Sequence, residues 1–372
     1  MSVKCSKVIE MMEELAPSFL AEHWDNVGLQ IGSISKEIKK IMVCLEVNNK
    51  VVDEAIEKKA DMIITHHPLI FKPIKKINYS EPIGKVINKL IKNDINLFCA
   101  HTNLDIAVGG TSDYIAKLLN LDDLKPLKIT HKTKYYKLAV FVPKENIDDV
   151  REAISLAGAG HIGKYSHCTF KTLGIGTFKP LEGSNPFIGS LNNLEKVEEY
   201  KLETIVPSNN LSKVINQMLK VHPYEEVAYD IFPLENEFEV FGFGRIGHLT
   251  IQKTLKELAV ELKEKLKADA IRLIGNKHKV IRKVAICTGS GAEFIIDAYR
   301  SGCDCYITGD IKYHDAQYAS ELGLTVIDAG HFETENIICE FLKEYLITKL
   351  KSKNYDLEII SSNLNINPFT YI

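Results

Sequence analysis

The chain has 372 residues, 45% hydrophobic and 26% charged, which predicts a globular protein of more than one domain. A formal charge of −3 supplies no basic field for binding nucleic-acid backbone, and no run of about 18 apolar residues is present to span a membrane. Eight cysteines lie scattered, mostly in apolar runs, so reduced thiols and a cytoplasmic setting are expected, with Cys303 and Cys305 as core residues.

From the N-terminus, "MSVKCSKVIEMMEELAP" reads as an amphipathic helix with Val8, Met11, Met12 and Leu15 on one side. The stretch "HWDNVGLQIG" carries the single tryptophan and the pair Asp25-Asn26; it fits either a turn with an Asx cap or a pocket wall. Two strand-like runs follow, "KKIMVCLEV" and "ADMIITHH", with the helix "NKVVDEAIEK" between them. A third run, "INLFCAHTNLD", ends the first part. In the middle, "YKLAVFVPKENIDDVREAI" from Tyr136 and "YKLETIVPSNNLSKVINQM" from Tyr200 repeat at an offset of 64 residues. Each repeat is strand, proline turn and helix, and each is followed by another strand. That is the pattern of a ferredoxin-like domain, placed at 131–239.

A fainter duplication relates the flanks. At an offset of 243, "RKVAICTGS" aligns with "KKIMVCLEV" and "CDCYITGD" with "ADMIITHH", matching Asp61 with Asp304 and Thr65 with Thr308. The expected architecture is therefore α/β: a unit at 1–130 and a related unit at 240–372 packing against it, with an α+β domain inserted between.

Ligand sites in open α/β sheets form at strand C-termini. The clusters "ITHHP", "CAHTNLD", "TGSG", "ITGD" and "DAGHFETE" all fall there, and symmetry would turn the two edges toward each other. Their residues His66, His67, His101, Asp105, Asp310, His314, His331 and Glu335 mix imidazole with carboxylate. Such donor sets suit zinc, iron or manganese, and carboxylates can bridge two ions. His331 and Glu335, four apart at a helix start, share one helical face. His66 and His67 would point to opposite faces within a strand, so they share a site only if the strand ends there, as Pro68 favours. A lone strand-end histidine is more often structural, and Glu335 also suits a helix start; the convergence of clusters favours metal. "TGSGAEF" fits a phosphate cradle or a tight turn equally.

The stretches "WDNVGLQIG", "ITHHPLIF", "AHTNLD", "TGSG", "TGDIKYHDA" and "DAGHFETE" together resemble the Nif-three-like dinuclear metal family, often named type-2 GTP cyclohydrolase I homologues. The resemblance spans nearly the whole chain and implies two α/β units facing each other around a dinuclear site, in a toroidal homohexamer. It implies that His67 and Asp105 hold one ion, His66 and His331 the other, and that Glu335 bridges them. His101 and His314 become candidates for proton transfer beside Glu335, and Asp310 lines the cleft. Two divalent ions per chain, zinc or iron with manganese as the alternative, would support hydrolysis of a nucleotide-like substrate, GTP ring opening with formate release being the leading form. A phosphoesterase, or a metal-responsive ligand-binding regulator without turnover, is the alternative; a scaffold with purely structural metals fits least. No membrane or nucleic-acid partner is expected.

Overall fold

The computed structural model describes residues 2–236 and 239–372. The chain divides into two compact units, Met1–His131 with Phe241–Ile372, and Lys132–Val240. The fold is mixed α/β.

The first unit holds two main sheets. In one, the strands Glu358–Ser361, Lys40–Cys44, Met62–Thr65 and Asn96–Cys99 run parallel in that spatial order, and Gly28–Ile31 closes the edge antiparallel. The runs "MIIT" and "NLFC" are buried at every position, as strands covered on both faces must be. In the other, Arg272–Ile274, Thr325–Asp328, Cys305–Gly309, Val280–Ser290, Val240–Thr254 and Leu121–Lys132 lie side by side, with a parallel centre. Helices start on local caps. Asn48 accepts from the amides of Lys50 and Val51 before the helix Asn49–Glu57, and Thr254 with Glu257 forms a capping box before Leu255–Leu266.

The 243-residue offset has a structural counterpart at the strand starts. Asp61 accepts from the amides of Lys39 and Lys40, and Asp304 accepts likewise from Arg282 and Lys283. The two halves nevertheless exchange their ends. The helix Thr111–Leu118 and the strand Leu121–Lys132 join the second sheet and its core, where Ile115 and Leu119 pack with Leu258 and Ile281. In return, the helix Ile338–Ser352 buries Leu342 and Leu346 against Val8, Met11 and Met12, and Glu358–Ser361 forms an edge of the first sheet. The helix expected to start at His331 and Glu335 breaks at Ile337, giving His331–Asn336 and Ile338–Ser352.

In the second unit, Tyr229–Leu234, Tyr135–Pro143, Glu195–Pro207 and Thr169–Phe178 form an antiparallel sheet in that order. The two repeats pair with each other symmetrically: Tyr200 faces Val142, and Val206 faces Tyr136. The helices Ile147–Leu156 and Leu211–Val221 bury Val150, Ile154, Val214 and Met218 against Leu138, Val140 and Leu202. The strands expected after each repeat are Thr169–Phe178 and Tyr229–Leu234.

All eight cysteines are free, Cys303 and Cys305 among the buried ones. No described helix is long and apolar enough to cross a membrane.

One buried side chain ties the exchanged segments together. Arg245, 3% exposed, donates from Nε to Asp113 at 2.7 Å and to the carbonyls of Gly242, Gly244, Ile106 and Ala107. Arg245→Met should cost about 3–5 kcal/mol in urea unfolding, because Asp113 loses its charge partner. Replacing Asp113 by Leu in the same chain should recover part of that loss.

Candidate metal centre

The site forms where strands of both sheets end. After Met62–Thr65 the amides of His66 and His67 both donate to Leu45 O, at 3.1 and 2.8 Å. The ladder stops there, so the two imidazoles escape strand alternation and lie on one side, with ring centres 5.2 Å apart. His101 follows Asn96–Cys99 and opens the short helix Thr102–Ile106, which carries Asp105. From the other sheet, Gly330 and the helix His331–Asn336 deliver His331 and Glu335.

Glu335 is the centre. Its Oε2 lies 2.8 Å from His67 Nε2 and 2.9 Å from His331 Nε2, and its Oε1 lies 3.8 Å from His66 Nε2. His66 Nε2 is also 3.6 Å from Asp105 Oδ1, which accepts from Thr111 Oγ1. Ring centres of His101 stand 5.2 Å from His66 and 5.7 Å from His67. Two groups have donor atoms close enough to share one ion: His66, His67 and His101, and His67, His331 and Glu335.

Outer partners fix each ring. His66 Nδ1 donates to Ala100 O at 2.9 Å, His331 Nδ1 to Asp310 Oδ2 at 2.8 Å, His101 Nδ1 to Asp25 Oδ1 at 3.0 Å and His67 Nδ1 to Glu46 Oε2 at 3.4 Å. With Nδ1 carrying the proton, Nε2 becomes the lone-pair nitrogen of each neutral ring, as metal-ligating histidines are usually held. His66 Nε2 is buried without a hydrogen-bond partner, and His331 Nε2 meets only the Glu335 carboxylate, at 2.9 Å. Ring nitrogens so placed beside a buried carboxylate fit a divalent ion bound by nitrogen and oxygen.

The charge balance agrees. Burial opposes a charged His67, but Glu335 and Glu46 outweigh it and raise the imidazole to about 10. Glu335 and Asp310 raise His331 to about 9 against desolvation. Burial would push the Glu335 carboxyl up, yet the three imidazoles hold it well below its ordinary range. These rings hold protons that a cation on the same nitrogens would displace.

His66, His67, His101, Asp105, His331 and Glu335 lie together; His66 Nε2 is 3.6 Å from Asp105 Oδ1, and His67 and His331 share Glu335 Oε2. His314 stands exposed at the start of the helix Tyr313–Glu321, packed on Tyr313, and joins none of these hydrogen bonds among the described residues. Asp25 and Glu46 escaped the sequence reading as ring-orienting partners, since nothing local marks them. The "WDN" stretch is both turn and wall: Asp25 Oδ1 accepts from Asn26 N, while Trp24 lies 5.7 Å from Phe71 and 6.3 Å from His101, ring centre to ring centre. Gly289 of "TGSG" gives Glu335 its room. Its φ is +66°, and a Cβ there would meet Glu335 Oε1 at 2.1 Å. Beside His67 and His331 opens a cavity of about 630 Å³, with Arg272 and Asp310 on its lining.

The model of the family described as Duf34/NIF3 (NGG1p interacting factor 3) matches residues 3–368. A Bacillus subtilis protein named GTP cyclohydrolase 1 type 2 homolog is 45% identical over 371 residues, covering 100% of this chain and 99% of that one. A Halalkalibacterium halodurans protein of the same name is 46% identical, with 98% of each chain covered. Among solved structures, a Bacillus cereus protein related to NIF3 superposes with a TM-score of 0.92 at 42% identity, covering 100% and 99% of the chains. A Staphylococcus aureus protein superposes at 0.82 and 30% identity, with the same coverage. The chain belongs to the Duf34/NIF3 family.

Proposed function

We propose that the cluster holds two divalent ions, zinc or iron with manganese as the alternative, and that the chain is a metal-dependent hydrolase of a nucleotide-like substrate, acting as a GTP cyclohydrolase. The observation that carries this reading is the common orientation of four imidazoles, each anchored outward through Nδ1, three of them against Glu335. His66, His101 and Asp105 form one ligand group and His67 and His331 the other, with Glu335 between them. His101 then serves as a ligand instead of the proton carrier expected of it. The relatives' names support the substrate class.

Bound divalent ions supply Lewis acidity and acidify a water toward neutral pH. The chain supplies the rest. Trp24 and Phe71, 50% and 44% exposed, offer faces on which a purine stacks beside His101. Arg272, on the cavity lining and bound to Asp328 and Ile311 O, places a guanidinium where a phosphate would lie. Hydrolysis at C8 of the guanine ring would open the ring and release C8 as formate.

For the unit Lys132–Val240 we propose a ferredoxin-like domain inserted between two related α/β units, 1–130 and 240–372. Its two strand–helix–strand repeats and the spatial order of its strands (fourth, first, third, second) support that reading. A homohexamer in the cytoplasm is proposed on the family resemblance.

Metal-loaded protein should release formate from GTP, and chelation or Glu335→Ala should reduce release to background while circular dichroism stays unchanged. If two ions are bound and no formate appears, the cyclohydrolase reading fails and phosphoester hydrolysis is assayed next. Elemental analysis should find two ions per chain, and His101→Ala should retain fewer. Asp310→Asn, which frees the His331 ring, should weaken zinc binding about 10–100-fold in calorimetry. Because His67 and His331 hold protons to well above pH 7, zinc uptake at that pH should release protons, and apparent affinity should rise with pH.

A further inference from the structure

The unit Lys132–Val240 contains a second built cavity, of about 440 Å³, that the metal chemistry does not use. Its floor is the sheet face turned away from the helices. Leu202 and Val206 of the strand Glu195–Pro207 pack in the helix-facing core, so Glu199 points the opposite way. Phe141 and Gly176 of the neighbouring strands complete the floor, and Phe178, Phe187 and Tyr224 form the walls. The Tyr224 ring centre lies 5.9 Å from Phe178 and 6.4 Å from Phe187. Asn185 N donates to Glu225 Oε1 at 2.8 Å and ties down the segment that carries Phe187.

Glu199 is the anomaly in this apolar setting. It is 8% exposed, and its Oε1 accepts from Tyr224 OH at 2.8 Å. Its Oε2 accepts no hydrogen bond among the described residues. Lys179 also lines the cavity, yet no described ion pair joins it to Glu199. The carboxylate lies so close over Gly176 that a Cβ there would meet Oε2 at 2.0 Å. A tyrosine needing only an acceptor would be served by a neutral amide. A buried carboxylate with one oxygen open to a cavity calls for a donor, and a cation satisfies it best. Aromatic faces around it favour the same charge.

We propose that this cavity binds a small organic amine: an ammonium group on Glu199 Oε2, with an apolar body between Phe178, Phe187 and Tyr224. The size and the aromatic walls around a buried carboxylate are those of a small-molecule site, with Lys179, Glu225 and Glu226 also on the lining. Nothing in the inference depends on the metal centre or its chemistry.

The test uses the full-length, metal-loaded protein and ligand-observed NMR. Three amines are the probes: 2-phenylethylamine, tryptamine and isoamylamine, each beside the alcohol and the carboxylate of matching shape. At least one amine should saturate the protein and bind at least tenfold more tightly than its alcohol, with the carboxylate weaker still. Glu199→Gln should lose that preference. Phe187→Ala, at a half-exposed position that leaves the core intact, should weaken the amine at least threefold and so locate it in this cavity. Equal binding of amine and alcohol, no saturation by any amine, or unchanged binding by Phe187→Ala would each overturn the proposal. The amine-to-alcohol comparison needs no variant, so it decides the matter even if Glu199→Gln does not fold.

Discussion

A carboxylate buried among imidazoles is the constraint on which the first unit is organised. Glu335 is 5% exposed, and a charge taken so far out of water is tolerated only with close partners of opposite charge or a metal. Two of those partners, His66 and His67, come from the other sheet, on a strand end more than 260 residues away in sequence, so the ends of both sheets must meet. The surrounding details serve that meeting. The strand stops at Thr65 so that both histidines turn inward, Gly289 clears space for the carboxylate, and Thr334 Oγ1 accepts from Gly289 N to hold the helix start against that strand.

The outer partners set how each ring of the cluster is turned. Asp310 takes a left-handed backbone conformation, with φ of 57°, which aspartate tolerates better than most residues. From there its carboxylate meets His331 Nδ1. Asp25 goes further, accepting from His101 Nδ1, Thr102 N and Thr102 Oγ1 at once. Burial alone would raise its carboxyl, but these bonds draw it down to about 2. The His101 ring is thereby locked to the turn that displays Trp24, so the donor cluster and its aromatic wall are one piece.

Much of this was legible in the sequence because it is local. Apolar runs ending in polar clusters mark the strand ends, and the i,i+4 spacing of His331 and Glu335 survives as a 2.9 Å contact. The repeats were legible because each carries its own turn chemistry, as Pro143 and Pro207 do. What depends on distant pairing was not. Glu46 and Asp25 lie 21 and 76 residues from the rings they orient, one in a strand-like run and the other in a stretch that fits a turn or a pocket wall. The grouping of His66 with Asp105 follows from which way each ring turns, which spacing does not encode. His314 shares the residue type and neighbourhood of a site residue, yet its position at a helix start leaves it exposed. The Glu199 cavity was invisible for a similar reason: strand register brings Gly176 and Glu199 together, and Tyr224 reaches them from the loop after the helix Leu211–Val221.

The exchange of terminal elements between the two halves has a consequence for synthesis on the ribosome. When the first 131 residues have emerged, Lys40–Cys44 still lacks the edge partner supplied by Glu358–Ser361. Val8, Met11 and Met12 likewise lack the cover that Leu342 and Leu346 provide. The nascent N-terminal half therefore presents an unpaired parallel strand and an open apolar face for most of translation. Such surfaces invite association with other chains. The Lys132–Val240 unit, by contrast, has its own core and all four strands in one continuous stretch, so it can close while the rest is unfinished. Order of completion thus runs from the middle outward, and the unit that carries the imidazole–carboxylate cluster closes last, when its final strand arrives.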